Sequence, residues 1–174
     1  TDQKNPQRIV GILECLHKQL QQEPLWQGQF QAAMIGDGEL YSSIQQMVQE
    51  KGLEQVIALP GYQSNPYKAL ASAKVFLMAS RYEGTPMSVL EAMALGVPVV
   101  STATDGIADV VKSGVTGYLE ETDEKLAERL KELLMNQEKQ KSMSEASKKQ
   151  FAQICDLEKY RQTLDTVYQE NAVW

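Results

Sequence analysis

Two carboxylates, Glu83 and Glu91, stand in a Glu-x7-Glu spacing around the stretch Gly84-Thr85-Pro86-Met87-Ser88. Carboxylates accept hydrogen bonds and donate none, so a pair of them suits a ligand rich in hydroxyl groups. Gly84 lets a ligand approach the backbone closely. Thr85-Pro86 reads as a helix start, with Thr85 as cap and Pro86 at the first helical position, where a missing N–H costs nothing. The N–H groups of Thr85, Met87 and Ser88 are then expected to point out of the helix end, at the positive pole of the macrodipole, where a phosphate is stabilised. Glu91 lies about a turn and a half along that helix, at ~1.5 Å per residue, and still lines the same cleft. A ligand both polyhydroxylated and phosphorylated fits this set, which is the description of a nucleotide sugar.

The elements that must position these groups are written on either side. Val75-Phe76-Leu77-Met78-Ala79 is an apolar run of strand length, and Gly96 stops the helix ahead of a second buried run, Val97 to Ser101. Two buried strands joined through a helix are parallel, and in such units the loop at the carboxyl end of the strand faces the ligand crevice. Taken singly, Glu83 reads equally as a loop carboxylate and Glu91 as an exposed helix residue or a capping-box partner of Ser88. The combination with its strand–loop–helix setting favours the ligand reading.

Glu-x7-Glu followed by Ala-Met-Ala-x-Gly-x-Pro-Val-Val resembles the signature of retaining glycosyltransferases with the two-domain GT-B fold, the glycosyl transferases group one type. The resemblance implies that Glu83 holds hydroxyls of the donor sugar. It implies that backbone groups of Gly84, Thr85, Pro86, Met87 and Ser88 contact sugar and diphosphate, and that Glu91 holds the ribose. It extends over essentially the whole chain. Lys4 matches the family's diphosphate-pairing lysine, against the alternative of a mobile terminal lysine. The family's preceding strand, ending in Gly-Arg, has no counterpart in this sequence.

Gly36-Asp37-Gly38, after the strand Phe30 to Ile35, matches a second landmark where a strand meets the nucleotide crevice, and Gly36 is assigned to it. Gly61 and Tyr62 follow the strand Val56 to Leu59, in the loop that the family places near the base. Tyr62 either walls that pocket or packs in the loop. Asn65-Pro66 starts a short helix, Tyr67 to Ser72, by the device used at Asn5-Pro6, where Asn5 is expected to cap. Thr102 to Ile107 resembles a family loop ending in Gly-Gly, with Asp105 in place of the first Gly. A short helix is expected at Asp109-Val110-Val111, then an edge strand ending near Leu119. Three helices close the chain: one with a Leu126/Leu130/Leu133/Leu134 face, a solvated one with thin core contact through Met143 and Ala146, and a last amphipathic one from Leu157 to Tyr168.

The totals narrow the field. A chain of 174 residues supports one domain, 1–174, with its own core. A net charge of −6, without a Lys/Arg cluster, argues against nucleic acid as partner. No apolar run approaches a membrane span, so no membrane contact is expected from this chain. Cys15 and Cys155 offer no disulfide framework and point to the cytoplasm; a full-length parent docked peripherally on the inner membrane face is compatible with that. His17, the sole histidine, is read as a solvated surface residue, and no Asp-x-Asp pair exists. No cofactor and no metal are expected, the nucleotide sugar being a substrate.

The expected fold is α/β: a Rossmann-like open parallel sheet with helices on both faces, the C-terminal half of a GT-B fold with the first strand missing. The expected function is donor binding in polysaccharide-type biosynthesis, inactive in transfer without the missing N-terminal acceptor domain. A nucleotide-sugar epimerase half and a non-catalytic nucleotide-sugar-binding module are the alternatives.

Overall fold

The structure, a computed structural model, describes residues 1–26 and 30–171. A single 3-10 turn at Asp2–Lys4 leads into α1 (Pro6–Gln21). Asn5 does not cap α1 with its side chain. It sits instead in the left-handed region at φ 50, ψ 54, and turns the chain sharply so that Pro6 opens the helix. A short polar side chain tolerates that conformation better than most. The apolar stripe of α1 behaves as its spacing predicts: Val10, Ile12, Leu13, Leu16 and Leu20 are all buried. His17 is half-buried rather than solvated, its ring 6.2 Å from that of Phe30.

The following elements alternate strand and helix. They are β1 (Ala32–Ile35), α2 (Tyr41–Glu50), β2 (Ile57–Gly61), α3 (Tyr67–Ser72), β3 (Phe76–Met78), α4 (Met87–Ala94), β4 (Val99–Ser101), α5 (Asp105–Ala108) and β5 (Gly117–Leu119). Every strand pair is parallel, as crossover helices require. The strands form two sheets, β1–β2 and β3–β4–β5. Phe76 pairs with Val99, and Val99 in turn with Gly117, so β4 is central in the larger sheet and all three of its residues are buried. The short helix expected at 109–111 forms earlier, at α5, because Thr104 leaves extended backbone and its carbonyl accepts from Ile107 and Ala108.

The chain ends in α6 (Asp123–Met135), α7 (Gln137–Ile154) and α8 (Leu157–Asn171). Helix α6 packs on α1, with Leu126, Leu130 and Leu133 joining α1, α2 and Tyr118 in the main core. Helix α7 is more deeply engaged than its polar composition suggests. It packs on α4, Met143 is buried in the main core, and the buried partner is Ser147 rather than Ala146, its Oγ donating to Thr116 O at 2.9 Å. Under the site, Val89, Ala92 and Met93 of α4 pack with Met78, Val99 and Ile107 in a second core. Truncating one such fully buried aliphatic side chain to Ala costs about 2–5 kcal/mol. Helix α4 is thus held rigidly from below.

Candidate functional site

Within each sheet the strands run in one direction, so Gly36 and Gly61 lie at the carboxyl edge of β1–β2, and Glu83 and the start of α5 follow the carboxyl edge of β3–β4–β5. At that edge β3 gives way to the loop Ala79–Pro86, which delivers Glu83 and the start of α4. Pro86, not Thr85, occupies the position before the helix, and no side chain caps it. The Thr85 carbonyl folds back to accept from Met87 N–H at 2.9 Å, so the Met87 amide is occupied within the loop. The amides of Thr85 and Ser88 have no acceptor among the described residues. The helix end thus offers two outward N–H groups rather than three, with the macrodipole behind them. Gly84, Thr85 and Met87 are exposed, Ser88 is half-buried and Pro86 is buried.

Lys4 reaches the loop that carries Glu83. Its Nζ donates to Glu83 Oε1 at 2.6 Å across 79 positions of sequence. The whole N-terminal turn is laid along this loop: Arg81 N–H donates to Gln3 O at 2.9 Å, and Gln3 Nε2 donates to Tyr82 O at 3.1 Å. The Glu83 side chain is only 5% exposed while that of Lys4 is 48% exposed. A pair with its cation half in water adds little to fold stability. Its consequence is positional, fixing an ammonium on the loop that leads into α4 with N–H donors to spare, since an ammonium carries three.

Glu91 is engaged by α3. Tyr67 Oη donates to Glu91 Oε1 at 3.1 Å, which holds the phenol above its ordinary pKa, with the carboxylate's charge adding to the effect. That contact is one the sequence did not announce, although Asn65 starts α3 as expected, its Oδ1 accepting from Tyr67 N–H at 3.2 Å.

Gly36 and Gly61 meet: Gly36 N–H donates to Gly61 O at 3.0 Å, and both backbones require glycine, at φ 143 and 70. Tyr62 projects from this junction 74% exposed, so of its two readings packing within the loop is not what the structure adopts.

Gly106 is a site residue that residue types alone did not reveal. Its N–H donates to Glu83 O at 3.3 Å, and a Cβ there would lie 2.1 Å from Gly84 O and 2.7 Å from Glu83 O. The start of α5 is therefore pressed against the loop that carries Glu83. Asp105 in place of a first glycine does not prevent this approach. Among the described residues no group of three or more His, Cys, Asp and Glu side chains gathers as a metal site would. None of their helices is long and apolar enough to cross a membrane.

The arrangement can hold an anion between Lys4 and the Thr85 and Ser88 amides, with carboxylates for hydroxyl groups on either side. Among curated proteins, the chain is similar to the N-acetyl-alpha-D-glucosaminyl L-malate synthase of Bacillus anthracis, 31% identical over 137 residues, 78% of this chain and 36% of that protein. Among solved structures, it superposes on a TarM variant of S. aureus, crystallised with fondaparinux, alpha-GlcNAc-glycerol and UDP. The TM-score is 0.80 at 24% identity, over 87% of this chain and 30% of that one. It also superposes on HepE of Anabaena, crystallised with UDP and glucose, at TM-score 0.79 and 19% identity, over 95% of this chain and 46% of that one. The chain thus spans less than half the length of each of these proteins. At such identities the superpositions establish the fold alone, a Rossmann-like arrangement of parallel strands and helices. The family model of glycosyl transferases group 1 matches residues 1–150, which takes in the strands, the Lys4–Glu83 loop and α4, and the chain belongs to that family.

Proposed function

We propose that this chain is the donor-binding C-terminal domain of a retaining glycosyltransferase. It binds a nucleoside diphosphate sugar and works with an N-terminal acceptor domain to pass a hexose or related sugar to a glycan, lipid or small molecule. The observation that carries the reading is the Lys4–Glu83 pair, 2.6 Å apart on the loop that leads into the unpaired Thr85 and Ser88 amides. The family membership and the UDP found in TarM and HepE support it.

In this reading the diphosphate sits on the Thr85 and Ser88 amides, and Lys4 supplies cationic charge to the oxygen that leaves. Glu83 spends one carboxylate oxygen on Lys4 and offers the other to sugar hydroxyls. Glu91, steadied by Tyr67, takes the ribose, and Gly36, Gly61 and Tyr62 border the base. The anomeric carbon–phosphate oxygen bond breaks and the acceptor oxygen bonds on the same face, its proton passing to the departing phosphate. Glu83 acts by positioning rather than as a nucleophile. Metal is not part of this scheme, and the compartment we assign is the cytoplasm.

Calorimetric titration with UDP, GDP and ADP, alone and with sugars, tests the reading. We expect weak binding of at least one nucleotide and negligible transfer by this chain alone. Glu91→Ala is expected to weaken nucleoside diphosphate binding more than Glu83→Ala, which should act mainly on the sugar. No binding at millimolar nucleotide, or equal losses on plain UDP from both substitutions, contradicts the assignment.

A further inference from the structure

Asp105 is a charged residue at the site to which the proposed donor contacts give no role. The backbone that carries it is fixed. Thr104 is extended, and its carbonyl accepts from Ile107 and Ala108 at 3.0 and 2.9 Å. Gly106 and Ile107 are buried, Ile107 in the second core with Val89 and Met93 of α4. Gly106 N–H donates to Glu83 O at 3.3 Å, and a Cβ at Gly106 would run into Glu83 O and Gly84 O. Peptide geometry puts an α carbon ~2.4 Å from the nitrogen of the next residue, so the Asp105 Cα lies within about 6 Å of Glu83 O.

The Asp105 side chain is exposed and, among the described residues, has neither an ion pair nor a hydrogen bond. The cations of the adjoining loop and turn are matched elsewhere, Lys4 on Glu83 at 2.6 Å and Arg81 on Asp2 at 3.5 Å. Asp105 therefore adds a negative charge without a paired cation beside the loop that carries Glu83. An acid in the first turn of a helix is ordinarily rewarded by the dipole, but α5 has only four residues and little dipole to offer.

On the donor-binding reading the sugar lies against Glu83 and Gly84, and we propose that Asp105 decides which sugars are admitted there. The donor sugar is a neutral, hydroxyl-bearing hexose. A carboxylate accepts hydroxyl hydrogens, as Glu83 does, and repels a second carboxylate brought to the same place. A donor carrying a hexuronic acid meets two carboxylates against the single cation of Lys4 and is refused. Asp105 acts on selection alone and takes no part in bond breaking.

The test is calorimetric titration of the chain with UDP, UDP-glucose and UDP-glucuronic acid. Two variants accompany the parent. Asp105→Asn keeps the shape and removes the charge, and Asp109→Asn removes the same charge from the other end of α5. Both side chains are exposed, so both variants should keep the parent's thermal midpoint. We expect the parent to bind UDP-glucuronic acid at least about tenfold more weakly than UDP-glucose. Asp105→Asn should close most of that gap without changing UDP affinity, and Asp109→Asn should leave the gap open. A parent that binds both sugars alike, a gap that survives Asp105→Asn, or one that Asp109→Asn closes equally well would each overturn the assignment. Plain UDP separates the two levels. UDP that binds all three proteins alike, with the sugar preference unmoved, overturns the role of Asp105 alone. UDP that binds none of them overturns the donor seat and the role of Asp105 with it.

Discussion

Gly84 and Gly106 look alike in sequence, and the structure separates their reasons for being glycine. At Gly84 an added Cβ meets nothing within 4 Å and the backbone φ is not in the left-handed region. Gly84→Ala should therefore leave folding almost untouched, within about 0.5 kcal/mol, or slightly favoured through the stiffer unfolded chain. If a donor lies against this backbone, the methyl group must intrude on it. Overpacking a close interface by that amount costs about 1–3 kcal/mol, which is about 5- to 150-fold in affinity. At Gly106 the Cβ would lie 2.1 Å from Gly84 O, whereas contacts under 3.0 Å essentially never occur. Loop and helix would have to part by about 1 Å in a region packed to near-crystalline density. Gly106→Ala should lower the thermal midpoint and weaken donor binding together. The assay is paired: thermal unfolding, and calorimetric titration with UDP-glucose. A Gly84→Ala protein that binds as the parent does refutes the close approach of ligand to that loop. A Gly106→Ala protein with unchanged midpoint refutes the packing argument.

In the proposed reading Lys4→Ala removes one charge-assisted contact to the diphosphate, so UDP affinity should fall about 10- to 150-fold by titration, with little change in thermal midpoint. Tyr67→Phe should weaken UDP binding about two- to tenfold by releasing Glu91, and Glu91→Gln should return the Tyr67 phenol toward its ordinary pKa in a tyrosine NMR titration. Glu14, held below its ordinary value of 4.5 by Lys18 and then Lys51, and Glu132, where hydrogen bonds from Lys139 and Arg129 outweigh burial, both favour the folded state when ionised. Their contribution is complete above about 4.5 and is lost as pH falls through their lowered folded values. The thermal midpoint should drop across that window, and Lys51→Met should flatten the drop.

Much of this arrangement was legible in the residues because it is local. The strand–helix alternation, the stop at Gly96 (φ 73) and the glycines at the ends of β1 and β2 all express backbone constraints carried by single residues. The Glu83–Glu91 spacing carries its own meaning once a helix starts between them. The errors were local too. Thr85 and Pro86 form a sound helix-start signal, but the loop uses the Thr85 carbonyl to bind Met87 and begins the helix one residue later. Asn5 fits a cap by type, yet its backbone was needed for a left-handed turn. What could not be read was long-range. The Lys4–Glu83 pair, the Tyr67 contact to Glu91 and the approach of Gly106 to Gly84 join segments 22 or more positions apart. Nor does any strand's own composition say that β1 and β3 belong to separate sheets.

The most direct test of a diphosphate seat between Lys4 and the start of α4 is amide mapping by NMR during titration with UDP, with inorganic phosphate as reference. Thr85 and Ser88 amides are expected to move first and furthest, with Gly84 following and Gly36 and Gly61 responding to UDP but not to phosphate. Saturating UDP that leaves Thr85 and Ser88 unmoved, or that shifts only residues away from the carboxyl edge of the strands, would contradict it.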